Sequence, residues 1–115
     1  MSVKIYHNPR CSKSRQTLAL LEEQGIEAEV IRYLETPLTK KELKSLLEML
    51  GMTARELIRK NEAEYKNSEL KDPNTSDEDL IRAMVETPKL IERPIVVNEG
   101  KARIGRPPEQ VLEIV

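Results

Sequence analysis

Val3-Lys4-Ile5-Tyr6 alternates apolar and polar residues, the period of a half-buried strand. His7-Asn8-Pro9-Arg10 interrupts it with an Asn-Pro turn signal. Residues from Ser12 to Gln24 suit a helix, with Leu18, Leu20 and Leu21 as its apolar part and Gly25 placed to end it. Ala28-Glu29-Val30-Ile31-Arg32-Tyr33 predicts a second strand. Together these make β-α-β, the spacing of a parallel crossover unit.

The middle of the chain changes period. Thr39 and Glu42 form a capping-box pair, and Leu43, Leu46, Leu47 and Leu50 follow at i, i+3, i+4 and i+7. Gly51 stops that helix. Thr53 with Glu56 opens a short one through Ile58. Residues 60–75 are polar, with Asp72-Pro73-Asn74 as a turn, and read as loop with room for a short helix. Ser76 with Asp79 opens another helix, with Leu80, Ile81, Met84 and Val85 on its buried side. Strands then return: Ile95-Val96-Val97 is a central-strand run, Asn98-Glu99-Gly100 a hairpin turn, and Ala102-Arg103-Ile104 pairs back. Pro107-Pro108 starts a last helix, from which Val111, Leu112 and Val115 are expected to pack inward.

The order predicts an α/β protein: a thioredoxin-like fold with a helical insertion between its β-α-β and β-β-α halves. Arg93-Pro94, just before the third strand, supports it. In such folds a cis-proline occupies this place beside the active cysteine, and X-Pro is the bond where cis costs little. With 115 residues and neither repeats nor linkers, residues 1–115 are expected to form a single domain.

Composition narrows the function. A net charge of −1 and three tyrosines without Trp or Phe argue against nucleic-acid binding. No apolar stretch approaches a membrane span. Met1 to Arg10 holds no apolar run before a small-residue cleavage site, so a cytoplasmic location is expected. One cysteine excludes an internal disulfide, and with one histidine no multi-histidine or cysteine-cluster metal site can form. Charge is unevenly spread, however. The first 21 residues carry Lys4, Arg10, Lys13 and Arg15 and no acid, so a basic segment surrounds Cys11.

Cys11 sits at or just before a helix start, where free N–H groups and the macrodipole favour an anion. Such sites can lower a thiol pKa from ~8.5 to roughly 3.5–7.5. The competing reading, a buried inert thiol, needs an apolar setting, but Arg10, Ser12, Lys13 and Ser14 are polar. Other cysteine chemistries miss on spacing. There is no C-x-x-C, and the first following arginine, Arg15, gives C-x3-R rather than the C-x5-R of tyrosine phosphatases. His7 reads either as a group tuning the thiolate or as a turn histidine with a structural hydrogen bond.

Tyr6-His7-Asn8-Pro9-Arg10-Cys11-Ser12-Lys13-Ser14-Arg15 resembles the active-site loop of glutaredoxin-coupled arsenate reductases, Y-H-N-P-x-C-x-x-S-R. Family-like segments continue in order at Tyr33-Leu34-Glu35-Thr36-Pro37, Leu57-Ile58-Arg59-Lys60-Asn61, Ile91-Glu92-Arg93-Pro94-Ile95-Val96-Val97 and Gly105-Arg106-Pro107-Pro108-Glu109. The chain departs from the pattern at Arg10, often a small residue, and at Ser12-Lys13, often Gly-Thr or Gly-Ser. The resemblance implies Cys11 as nucleophile and Arg59, Arg93 and Arg106 as the oxyanion-binding arginines. His7, Ser14 and Arg15 are assigned to tuning the thiolate. Guanidinium forks suit the oxygens of a tetrahedral oxyanion.

The implied reaction is reduction of arsenate to arsenite. Cys11 attacks arsenic, glutathione attacks the adduct, and glutaredoxin reduces the mixed species. No bound cofactor or metal is expected. Glutathione is the co-substrate, glutaredoxin the partner, and the protein a monomer. Two alternatives stay open: an arsenate-reductase-like regulator that binds RNA polymerase, and a glutathione-dependent thiol transferase acting on protein disulfides. Such regulators typically carry C-x-x-C or lack the arginine set.

Overall fold

The computed structural model describes residues 3–115, so Met1 and Ser2, where the leaderless reading begins, lie outside the described residues. The chain groups into two compact units, Met1–Thr36 with Arg93–Val115 and, between them in sequence, Pro37–Glu92.

The first unit is the thioredoxin-like sheet. Strands β1 (Val3–Tyr6), β2 (Ala28–Ile31), β3 (Ile95–Asn98) and β4 (Lys101–Ile104) lie in the order β2-β1-β3-β4. β1 pairs parallel with β2 through the crossover helix α1 (Ser12–Glu23), and antiparallel with β3. β3 and β4 form the hairpin, with Glu99 and Gly100 both at positive φ, 51° and 79°. That is the two-residue loop whose twist matches paired strands, and glycine takes its second position without a Cβ penalty.

Ile5, Leu21, Val96, Val111 and Ile114 form the core of this unit. The C-terminal segment departs from expectation. It is a 3-10 helix, Pro108–Glu113, and Leu112 and Val115 are 38% and 39% exposed while Ile114 is the residue that packs inward. A three-residue turn puts Val111 and Ile114 on one side, and Asn98 Nδ2 holds the Ile114 carbonyl at 2.6 Å. β2 also stops at Ile31, two residues short of expectation, because the chain turns there: the N–H groups of Glu35 and Thr36 both bond the Arg32 carbonyl.

The second unit is helical: α2 (Lys40–Leu50), α3 (Ala54–Leu57), α4 (Ala63–Lys66) and α5 (Asp77–Glu86), with 3-10 turns at Glu69–Lys71 and Pro88–Leu90. Both capping boxes form, and the Ser76 side chain accepts from the Asp79 N–H. Leu43, Leu46, Leu47, Leu57, Leu80, Ile81 and Met84 are buried, whereas Leu50 and Val85, at the helix ends, are half-buried. The polar stretch 60–75 is organised by Arg55, whose guanidinium bonds Tyr65 Oη and the carbonyls of Leu70, Asp72 and Thr75. An isolated antiparallel bridge, Ile58 with Ile91, closes the unit. Among the described residues no helix is long and apolar enough to cross a membrane.

Candidate active site

The loop after β1 carries the cysteine, and its shape follows from local bonds. His7 continues the β1–β2 ladder by donating its N–H to the Ile31 carbonyl at 2.8 Å. Asn8 then turns the chain: its Oδ1 accepts from Arg10 N–H at 3.0 Å and its carbonyl from Cys11 N–H at 3.0 Å. This is the side-chain turn asparagine makes readily. Cys11 becomes the N-cap of α1, with extended backbone, and its carbonyl accepts the first helical bond from Arg15.

Beneath the loop lie four buried polar residues, His7, Asn8, Ser14 and Thr17. Ser14 Oγ accepts from Asn8 N–H at 3.0 Å and lies 2.7 Å from His7 Nδ1. Burial, then the charges of Arg32 and Arg15, lower the His7 pKa, so the ring is neutral at neutral pH. The hydroxyl proton of Ser14, fully buried, then points at Nδ1 and leaves the His7 proton on Nε2. His7 and Ser14 are therefore brought together in one buried hydrogen bond, the structural one of the two roles weighed for His7. Arg15 goes elsewhere: its Nη1 bonds the Pro9 carbonyl at 2.9 Å, bracing the loop.

The sulfur is half-buried, and desolvation raises its pKa. Three groups more than reverse this: the Ser14 N–H, the Arg93 guanidinium and the Lys13 N–H, so the thiol lies below its ordinary value. The sulfur lies outside strict capping geometry, yet near enough to the helix-start N–H groups for both to favour its anion. Arg106 adds Nη2 at 3.4 Å from Sγ.

Strand register explains why two arginines distant in sequence converge there. Ile95 faces Ile104 in the hairpin, so Pro94 faces Gly105 and Arg93 faces Arg106 when the pairing continues. It does continue: Gly105 N–H bonds the Pro94 carbonyl at 2.9 Å, and Arg106 Nε bonds the Arg93 carbonyl at 2.8 Å. Tyr6 faces Ile95 on the other side, so the cysteine loop leaves β1 at the same sheet end. The Arg93–Pro94 and Arg106–Pro107 bonds are both cis. Like charges directly opposite each other are ordinarily unfavourable, and an anion beside both relieves that.

Gly105 is a site residue the sequence reading passed over. A Cβ there would lie 2.4 Å from Thr17 Oγ1 and 2.8 Å from Pro94 Cγ. Thr17 is itself buried and bonds the Lys13 carbonyl at 2.8 Å, so α1, the proline loop and β4 meet where no side chain fits. The glycine before Arg106 was the available signal. Asn8 was read as a turn former, and its side chain does that work.

Arg59 belongs to the second unit. The Ile58–Ile91 bridge sets it against Glu92: Arg59 Nη1 is 2.8 Å from Glu92 Oε1, and Arg59 Nε is 3.4 Å from Glu62 Oε1. Its charge is thus compensated by carboxylates. Among the described residues no group of three or more His, Cys, Asp or Glu side chains is placed to hold a metal ion.

Known proteins resemble this chain in sequence and in fold. The chain is 66% identical over 114 residues to the uncharacterized protein YfgD of Escherichia coli (strain K12), covering 98% of this chain and 96% of that one. It is 50% identical over 110 residues to the arsenate reductase of Neisseria meningitidis serogroup A, covering 95% and 94%. The solved structure of an arsenate reductase from Vibrio cholerae matches with a TM-score of 0.97 and 60% identity, over 100% of this chain and 98% of that one. The ArsC family profile matches residues 6–114. A match from the end of β1 to the last packed residue includes the cysteine loop and both converging arginines, and the chain belongs to the ArsC family.

Proposed function

We propose that the protein reduces arsenate to arsenite with glutathione and glutaredoxin, through Cys11. The observation that carries this reading is the sulfur itself, favoured as an anion by Ser14, Arg93 and Lys13, with Arg106 Nη2 at 3.4 Å. Two guanidinium groups beside a nucleophile both raise its thiolate fraction and offer forks to an incoming oxyanion. The arsenate reductases among its relatives point to arsenic as the reacting centre.

In this mechanism the Cys11 thiolate forms an S–As bond and one arsenate oxygen leaves as water. Glutathione forms a second S–As bond, and a second oxygen leaves as water. A glutaredoxin thiolate attacks the glutathione sulfur, forming a disulfide and breaking that sulfur's bond to arsenic. The electron pair stays on arsenic, which passes from As(V) to As(III). Water then hydrolyses the Cys11–As bond, freeing arsenite and the thiol. The protein has one cysteine, so both thiols oxidised to the disulfide come from outside. Arg93 and Arg106 bind the oxyanion, while His7, Ser14 and Arg15 hold the loop. Arg59 enters by sequence resemblance as a third arsenate contact. The reaction needs no resident cofactor.

The test compares arsenate-dependent with disulfide-dependent glutathione oxidation, glutaredoxin present in both. Arsenate-dependent turnover with stoichiometric arsenite supports the reading. Turnover with a protein disulfide alone overturns it in favour of a thiol transferase.

A further inference from the structure

The loop that carries Cys11 also forms one wall of a cavity of about 270 Å³ within the first unit. His7, Asn8, Pro9 and Arg10 line it on one side, and Arg32, Leu34 and Glu35, from the turn after β2, on the other. His7 N–H on the Ile31 carbonyl ties the two sides together, and the Glu35 N–H on the Arg32 carbonyl closes the turn that forms the second wall.

Its chemistry is specific. It presents two guanidinium groups and one carboxylate. The pairing between Arg32 and Glu35 is loose: Arg32 Nη1 is 3.9 Å from Glu35 Oε2, with both side chains more than half exposed. Leu34, 41% exposed, and Pro9 supply an apolar surface. His7 turns Nδ1 inward to Ser14, which leaves the Nε2 edge for the cavity. A ligand matched to this set has two carboxylates, one ammonium and a short apolar stretch.

Glutathione has that composition, its two carboxylates and one ammonium flanking a single thiol. Resting on the glutathione dependence proposed above, we propose that this cavity is the subsite for the glutathione that attacks the Cys11 adduct. Arg10 and Arg32 hold its carboxylates, Glu35 its ammonium, and Leu34 and Pro9 its methylenes. Arg10 adjoins Cys11 in the chain, so one wall of the cavity and the reacting sulfur belong to the same loop. The departure from the family pattern at Arg10 gains a use, adding a second carboxylate contact where a small residue offers none.

S-methylglutathione, which does not react, is titrated into the wild-type chain and followed by backbone amide shifts. Shifts centred on residues 7–10 and 32–35 are expected. Arg32→Ala and Arg10→Ala should each weaken binding about threefold to tenfold, the range for partly exposed charge pairs. Glu35→Gln should weaken glutathione but not its N-acetyl derivative, because acetylation removes the ammonium. In turnover, the KM for glutathione should rise in the arginine variants by the same factor. Shifts elsewhere, or unchanged affinity in folded Arg32→Ala and Arg10→Ala proteins, would overturn the subsite while leaving arsenate reduction standing. Absence of arsenate turnover in the wild type, with S-methylglutathione still bound here, would instead overturn the reaction and keep the subsite.

Discussion

Arg106 in the first unit rests on a backbone carbonyl and a sulfur, while Arg59 in the second rests on two carboxylates. Both are placed by antiparallel pairing, the β3–β4 ladder in one case and the Ile58–Ile91 bridge in the other. The partner makes the difference. A carbonyl orients a guanidinium without cancelling its charge, and Arg106 Nη2 lies 3.4 Å from the sulfur. Glu92 and Glu62 orient Arg59 and neutralise it as well. Arg82 in the second unit follows Arg59, paired with Asp79 at 2.7 Å, whereas Arg55 is tied to loop carbonyls, which it braces without losing its charge. Residue type alone does not separate a binding arginine from a bracing one.

The most severe way to break the contrast removes its anion. Cys11→Ser should lower arsenate turnover by at least about a thousandfold, since a neutral hydroxyl is a far weaker nucleophile than a thiolate. The fold should survive, because the residue is half-buried and caps a helix, a position serine suits. Steady-state arsenite production, with circular dichroism as the folding control, reads both.

Removing the charge beside the sulfur comes next. Arg106→Ala should reduce kcat/KM for arsenate about tenfold to a hundredfold, the range for losing a charge-assisted hydrogen bond. Arg93→Lys, which keeps charge but loses the fork, should fall at the lower end of that range. The sign in pH is fixed. Arg93 and the helix-start N–H groups hold the Cys11 pKa below its ordinary value, so the thiolate fraction falls only at lower pH than for a free thiol. The same depression makes the fold gain stability as pH rises from the folded pKa to the unfolded one. An ultraviolet thiolate titration of Arg106→Ala should move its midpoint upward; a midpoint equal to the wild type's contradicts the charge argument.

A subtler change leaves every charge in place. Gly105→Ala pushes a methyl into Thr17 and Pro94, and overpacking of this kind costs about 1–3 kcal/mol. Thermal unfolding should detect it. Adding Thr17→Ala should restore part of the loss, because it removes the Oγ1 clash at 2.4 Å but not the Pro94 contact at 2.8 Å.

The smallest effects belong to the second unit. Arg59→Ala should lower kcat/KM by up to about tenfold, less than Arg106→Ala, because its charge is already offset. Arg82→Ala, removing an exposed helix pair, should change it by less than about twofold. If Arg59→Ala proves the more damaging of Arg59→Ala and Arg106→Ala, the carboxylate partners do not decide an arginine's use, and the comparison fails.

Much of this was legible along the chain. Thr39 with Glu42, Thr53 with Glu56, and Ser76 with Asp79 announce three helix starts because capping is a local interaction across three residues. The Asn98-Glu99-Gly100 turn is equally local. The errors fell where tertiary packing overrode residue type. Leu112 and Val115 are as apolar as Ile114, but the 3-10 spacing and the Asn98 bond chose Ile114. β2 ended early because the turn carbonyl of Arg32 was claimed by the N–H groups of Glu35 and Thr36.

By itself the sequence determined the element order, the helix caps and the polar, cation-rich setting of Cys11, because each depends on neighbours within a few residues. Only the tertiary structure decided which arginines reach the sulfur. Arg93 and Arg106 are thirteen residues apart in the chain. They meet because Ile95 pairs with Ile104, and the same sheet end delivers the cysteine loop from Tyr6 opposite Ile95. Arg15, four residues from Cys11, instead reaches back to the Pro9 carbonyl. Register is a property of paired strands, so proximity in sequence points to Arg15, while Arg93 and Arg106 are reached along the chain only through the family resemblance.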